Sequence, residues 1–131
     1  MTIVLDASAA FDILFSKGRS EKYTKEVEQA DVVIAPDIYS SEISNVAWKH
    51  GEFAGFTHED ILSLAEDGIN LIDQYVSAEE IWRESLREAI NNNHPVYDCL
   101  YVVCARRNDG VLLTRDRKLE NICKRLNVSN I

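Results

Sequence analysis

Four short apolar runs, Thr2-Ile-Val-Leu5, Val32-Val-Ile-Ala35, Ile69-Asn-Leu-Ile72 and Val111-Leu-Leu113, recur along this chain between segments with helical patterning. A run that short and that continuously apolar suits a strand covered on both faces. Strands buried in this way pair in parallel, and parallel neighbours need a crossover, usually a helix. The expected fold class is therefore α/β, a three-layer α/β/α sandwich with a mostly parallel central sheet. At 131 residues the whole chain, 1–131, reads as one domain with a real core, and a hydrophobic fraction of 46% argues against disorder. No apolar run approaches the length of a membrane span. With a strand from residue 2 and no basic leader, the expected setting is cytoplasmic, without signal peptide or membrane partner.

The intervening segments carry their own punctuation. Asp6-Ala-Ser8 turns from the first strand into an apolar helix that Ser8 is placed to cap, and Ser16-Lys-Gly18 breaks that helix. Residues 20–30 read as a polar helix. Pro36-Asp37 opens the next helix with Asp37 as N-cap; Glu42, Asn45 and Lys49 share one face of it, and Gly51 ends it. Thr57-His-Glu-Asp60 resembles a capping box with Asp in place of Glu, opening a helix that Gly68 closes. Ser77-Ala-Glu-Glu80 is a capping box for a helix to about Ile90. Pro95 suits a first helical turn, which puts Asp98 early in a largely apolar helix. A helix over 116–126 and a last edge strand over Val128-Ser-Asn130 complete the reading.

Four acids stand out against this frame. Asp6 ends the first strand, Asp116 follows the fourth, and Glu42 and Asp98 sit early in helices that could reach the same mouth. Ligands of parallel α/β sheets collect beyond the carboxyl ends of the strands. A carboxylate among Val, Tyr, Leu and Cys is costly unless compensated, and like charges about 4 Å apart repel by roughly 4 kcal/mol at an effective dielectric of about 20. A divalent ion reverses that sign. Hard oxygen donors suit Mg²⁺ or Mn²⁺, and such an ion supports phosphodiester hydrolysis. For Asp98 a purely structural alternative stands beside this one, since the helix dipole also favours an acid there.

Rival chemistries lack their motifs. His50, His58 and His94 form no H-x-x-x-H pair, and no phosphate-binding glycine loop or G-x-S-x-G elbow is present. Cys99, Cys104 and Cys123, an odd number without a C-x-x-C pair, are expected to be buried thiols. The net charge of −8 is unevenly spread: residues 106–131 hold seven basic against three acidic residues, a net +4, leaving −12 for residues 1–105. Basic residues around Asp116 suit a phosphate backbone, although solvated helix surfaces carry Lys and Arg equally well.

The blocks V-L-D-A-S at 4–8, P-D-I-Y-S-S-E-I-S-N at 36–45, H-P-V-Y-D-C-L-Y at 94–101 and L-L-T-R-D-R-K-L at 112–119 resemble, in order, those of PIN-domain ribonucleases, and most closely VapC-type toxins of toxin–antitoxin pairs. The resemblance implies that Asp6, Glu42, Asp98 and Asp116 form an acidic quartet holding Mg²⁺ or Mn²⁺, with Ser8, Asn45 and Thr114 in support. It also implies endonucleolytic RNA cleavage by an activated water, a homodimer, and neutralisation by a cognate antitoxin. Arg115, Arg117 and Lys118 are then the expected RNA contacts, and Trp48, Phe53 and Phe56 part of the antitoxin contact, although three aromatics at a helix end also suit a core. Two other readings use the same residues. A catalytically weak module of this fold would only bind protein. A phosphorylated receiver domain would need paired acids after the first strand, where Asp6 is followed by Ala7-Ser8.

Overall fold

The computed structural model describes residues 1–15 and 21–131. The expected break at Ser16-Lys-Gly18 lies outside them. In chain order the elements are β1 (Thr2–Leu5), α1 (Ala7–Phe15), α2 (Glu21–Gln29), β2 (Val32–Pro36), α3 (Tyr39–Ala54), α4 (His58–Ile69), β3 (Gln74–Val76), α5 (Ala78–Asn92), α6 (Val96–Arg107), β4 (Val111–Leu113) and α7 (Arg117–Arg125).

The sheet has four strands in the order β3-β2-β1-β4, and every pairing is parallel. Ile3 sits opposite Val33 on one side and Val111 on the other, which places β1 in the interior of the sheet. Ile3, Val4 and Leu5 are accordingly buried completely. The crossovers from β1 to β2 to β3 step one way along the sheet, and the return to β4 steps back past β1. Right-handed crossovers then put α1 to α4 on one face and α5 with α6 on the other. This is the α/β sandwich expected from the apolar runs, and α6 is its central return helix, packing on β1, β2 and β4.

The third strand falls elsewhere than expected. Ile69-Asn-Leu-Ile72 is the end of α4 and the turn after it, with Ile72 packed into the core; β3 is Gln74–Val76. That strand lies at an exposed edge, so its sequence needs no apolar run and shows none. Gly68 does not stop α4, because the helix runs on to Ile69 with Asn70 as its C-cap. Val128-Ser-Asn130 contributes a single parallel bridge, Asn130 to Leu112, rather than a strand.

Helix ends show a similar exchange. Thr57 and Asp60 form the reciprocal capping box. Ser77 is an N-cap whose side chain makes no capping bond; the Ala78 N–H is taken instead by Asp37 Oδ1 at 3.1 Å. Asp37 thus serves α5 across the sheet end, whereas α3 starts from Ile38 without a side-chain cap. Gly51, expected to end α3, is buried inside it, and the helix stops at Gly55 with φ 71°. The left-handed conformation at Gly55 is the usual glycine terminator. Gly51 has a different reason to be glycine: a Cβ there would lie 2.3 Å from Ile61 Cγ1, where α4 crosses α3. Gly51→Ala is therefore expected to destabilise by about 1–3 kcal/mol through overpacking, although alanine is the better helix former by about 1 kcal/mol. Urea unfolding checks this, with Ile61→Ala restoring much of the loss in the double variant.

The three cysteines are buried free thiols, as expected. No helix among the described residues is long and apolar enough to cross a membrane.

Candidate metal centre and active site

The carboxyl ends of β1 and β4 lie side by side, where the strand order reverses. Asp6 leaves β1 there with its N–H on the Leu113 carbonyl at 3.2 Å. Its Oδ1 accepts from the Ala9 N–H at 2.9 Å and from Ser8 Oγ at 2.7 Å. Asp6, rather than Ser8, is thus the acceptor at the start of α1. Ser8 Oγ in turn accepts the Arg115 N–H at 2.9 Å, stitching the loop after β4 to α1. The buried Thr114 hydroxyl bonds Asp6 and accepts the Asp116 N–H at 3.0 Å. Ser8 and Thr114 therefore fix the two strand-end acids relative to each other.

Asp116 is the N-cap of α7, and Oδ1 alone takes the N–H groups of Lys118 (2.9 Å) and Leu119 (3.4 Å). Glu42, in the first turn of α3, accepts the Tyr101 hydroxyl on Oε1 at 2.5 Å. Tyr101 comes from α6 and is 1% exposed. Asp98 lies in the first turn of the same helix, and its Oδ2 is 2.7 Å from His94 Nε2. Because α6 runs back against the strands, its N-terminus arrives at their carboxyl ends.

Electrostatics tie Asp6, Glu42 and Asp98 together. Burial holds the Asp6 carboxyl above its ordinary range; bonds from Thr114, Ala9 and Ser8 offset part of this, and the Asp98 charge adds to it. Burial also raises Glu42, opposed by the Tyr101 bond and reinforced by Asp98 and Asp6. Among the described residues no basic side chain forms an ion pair with Asp6, Glu42 or Asp116. Candidate ligand atoms of His94, Asp98 and Asp116 lie within 4.8 Å of one another. They open on a cleft of about 460 Å³, also lined by Lys118, Asn121 and Arg125. A set of convergent carboxylates without a countercharge, beside one imidazole, fits a divalent cation.

The supporting residues divide. Asn45 is exposed one turn beyond Glu42 on α3. Arg115 is ion-paired with Asp12, and Arg117 is exposed. Lys118 reaches the cleft, joined by Arg125 two turns along α7. Arg106 and Arg107 carry much of the basic excess but sit at the far end of α6, bound to Glu84 and, for Arg106, to Glu88. Charge counting placed them near Asp116; the helix carries them away from it. Phe56 packs on His50, which also meets Phe11 and Phe15, while Trp48 lines a separate groove with His58, Ile61 and Leu62. His94 and Arg125 are the cleft residues that motif reading passed over. The i, i+4 spacing of His94 and Asp98 across a helix start signals the first, and the i, i+7 spacing of Lys118 and Arg125 the second.

A four-stranded parallel sheet flanked by helices is consistent with the PIN fold, and this chain belongs to the PIN domain family, whose profile matches residues 3–125. It is similar to Ribonuclease VapC3 of Pyrobaculum aerophilum, with 29% identity over 121 residues, 91% of this chain and 92% of that protein. Its fold is shared with the crystal structure of PAE2754 from Pyrobaculum aerophilum at a TM-score of 0.73 and 20% identity, covering 99% of this chain and 83% of that one. The crystal structure of FitAcB from Neisseria gonorrhoeae superposes with a TM-score of 0.67 at 14% identity, covering 98% and 96%. The family expected from the motif blocks is thus borne out.

Proposed function

We propose that this chain is a metal-dependent endoribonuclease toxin of the VapC type, a single domain acting in the cytoplasm on RNA. The observation that carries this reading is the set of acids at the carboxyl ends of β1 and β4: candidate ligand atoms of Asp98 and Asp116 lie within 4.8 Å of one another beside His94, and Asp6, Glu42 and Asp98 are close enough to act on one another's charge. These residues would hold Mg²⁺ or Mn²⁺. Such an ion, when bound, lowers the pKa of a water and offsets charge on a phosphoryl oxygen.

The chain's own groups account for the rest. Ser8 and Thr114 lock Asp6 against the β4 end, so the ligands need little reorganisation. Tyr101 holds Glu42 by one oxygen. Lys118 and Arg125, with Arg117 nearby on α7, supply positive charge where a phosphate backbone would enter the cleft. Arg115, paired with Asp12, is the weakest of the expected RNA contacts. Asn45, exposed one turn beyond Glu42, would meet substrate from the α3 side.

Purified protein with Mn²⁺ and an RNA of mixed sequence tests the reading. Endonucleolytic products that disappear with chelator are expected, and no cleavage under any divalent ion would overturn it. Tyr101→Phe is expected to lower metal affinity or activity about 10- to 100-fold, as loss of a ligand's hydrogen-bond partner does; calorimetric titration with Mn²⁺ checks the former. A cognate antitoxin as partner and a homodimer as the working state are what the resemblance of the motif blocks to VapC-type toxins implies. Trp48 and the exposed Phe53, on the outer side of α3, are the surface offered for that antitoxin. The protein-binding reading without catalysis would give the cleft between Asp98, Asp116 and Lys118 no part in the function.

A further inference from the structure

We infer that His94 is a nitrogen ligand of the metal centre, so that the site selects Mn²⁺, and ions of similar borderline character, over Mg²⁺. This rests on the proposed metal-dependent function and deepens it. His94 Nε2 stands 2.7 Å from Asp98 Oδ2, and candidate ligand atoms of His94, Asp98 and Asp116 all lie within 4.8 Å of one another. Donors on adjacent positions of an octahedral ion, each at about 2.1 Å, are about 3 Å apart. The pair therefore needs only a few tenths of an ångström to share one ion.

The ring is held for that task. Its side chain is 10% exposed. The His94 N–H bonds the Ala89 carbonyl at 3.1 Å, and the next residue, Pro95, is locked at φ −55°. Asn93 reverses the chain in the left-handed conformation, so the whole connection from α5 to α6 spans residues 93–95. A histidine serving only to orient Asp98 would also be rigid. What separates the two roles is whether nitrogen touches the metal.

Imidazole suits borderline transition ions, whereas Mg²⁺ prefers carboxylate and water oxygen. A set of carboxylates with one imidazole should therefore bind Mn²⁺ or Co²⁺ more tightly than an all-oxygen set, with little gain for Mg²⁺.

The test uses the full chain with Mn²⁺ alone, read by electron spin-echo envelope modulation, and with Mn²⁺ and Mg²⁺ in separate calorimetric titrations. Bound Mn²⁺ in the unaltered protein is expected to show nitrogen-14 modulation from a directly coordinated imidazole. His94→Gln should abolish that modulation and weaken Mn²⁺ binding about tenfold or more, while the Kd for Mg²⁺ changes less than about threefold. Bound Mn²⁺ without nitrogen modulation in the unaltered protein, which requires no variant to fold, overturns the assignment but leaves an oxygen-liganded centre intact. Equal weakening of both ions in His94→Gln also overturns it. If no Mn²⁺ binds, or if Asp98→Asn leaves its Kd unchanged, the parent reading falls as well.

Discussion

Asp98→Asn is expected to reduce RNA cleavage by about 10³-fold, equivalent to roughly 4 kcal/mol of transition-state stabilisation, with the circular dichroism spectrum unchanged. The substitution removes one charge without changing shape. The amide keeps the size of the side chain and an oxygen beside His94, so the start of α6 retains its packing. The charge itself is the loss, because Asp98 lies at the cleft and acts on both Asp6 and Glu42. Single-turnover cleavage at saturating Mn²⁺ separates a chemical defect from weakened metal binding. A variant that cut RNA at the unaltered rate would remove Asp98 from the centre and overturn the four-acid scheme.

The second large effect concerns stability, and its sign is opposite to that of activity. Burial lifts the folded-state pKa of Asp6 above its ordinary value, and the same holds for Glu42. Between the ordinary value and the raised one, the folded state binds more protons than the unfolded state. These groups therefore contribute stability in acid that is lost as pH rises through their folded pKa. At neutral pH without metal, keeping these carboxyls buried, whether charged or protonated, costs folding free energy relative to the unfolded chain. A divalent ion at about one hundred times its Kd should return roughly 2.7 kcal/mol. Asp6→Asn should melt higher than the unaltered protein in chelator at pH 7, by about 3–5 °C for each kcal/mol of relief, and should lose the response to Mn²⁺. The difference between the two proteins should shrink as pH falls toward about 4, the ordinary carboxylate range, and other ion pairs such as Glu84 with Arg106 cancel in the comparison. A less stable Asp6→Asn variant in chelator at pH 7 would show that the hydrogen bonds to Asp6 outweigh the charge.

Much of this arrangement was legible in the residues because burial and chemistry left local marks. Thr2–Leu5, Val32–Ala35 and Val111–Leu113 read as strands since each is covered on both faces, and Asp6 and Asp116 were conspicuous as acids closing such runs. β3 left no mark: at the sheet edge, Gln74 and Tyr75 stay exposed, while the apolar residues just before them belong to a helix end. Gly51 misled for a related reason, since a glycine admitting a crossing helix looks the same in sequence as one ending a helix. His94 escaped because its partner is an aspartate across a helix boundary, not a second histidine. Arg106 and Arg107 misled because a charge tally has no direction, whereas α6 puts Asp98 and these arginines at opposite ends.

The pairing of β1 with β4 has a bearing on when the protein becomes competent. The first strand to be synthesised must wait for the fourth before Asp6 meets Thr114 and Asp116. Contacts between residues so distant in sequence form late and slowly. A nascent chain that has emerged only as far as α6 would carry Asp6, Glu42 and Asp98 but neither Thr114 nor Asp116, so on the proposed function it would not yet cut RNA. On the proposed function, cleavage would therefore become possible only once β4 has joined the sheet, after every element that carries Asp6, Glu42 and Asp98 has been made.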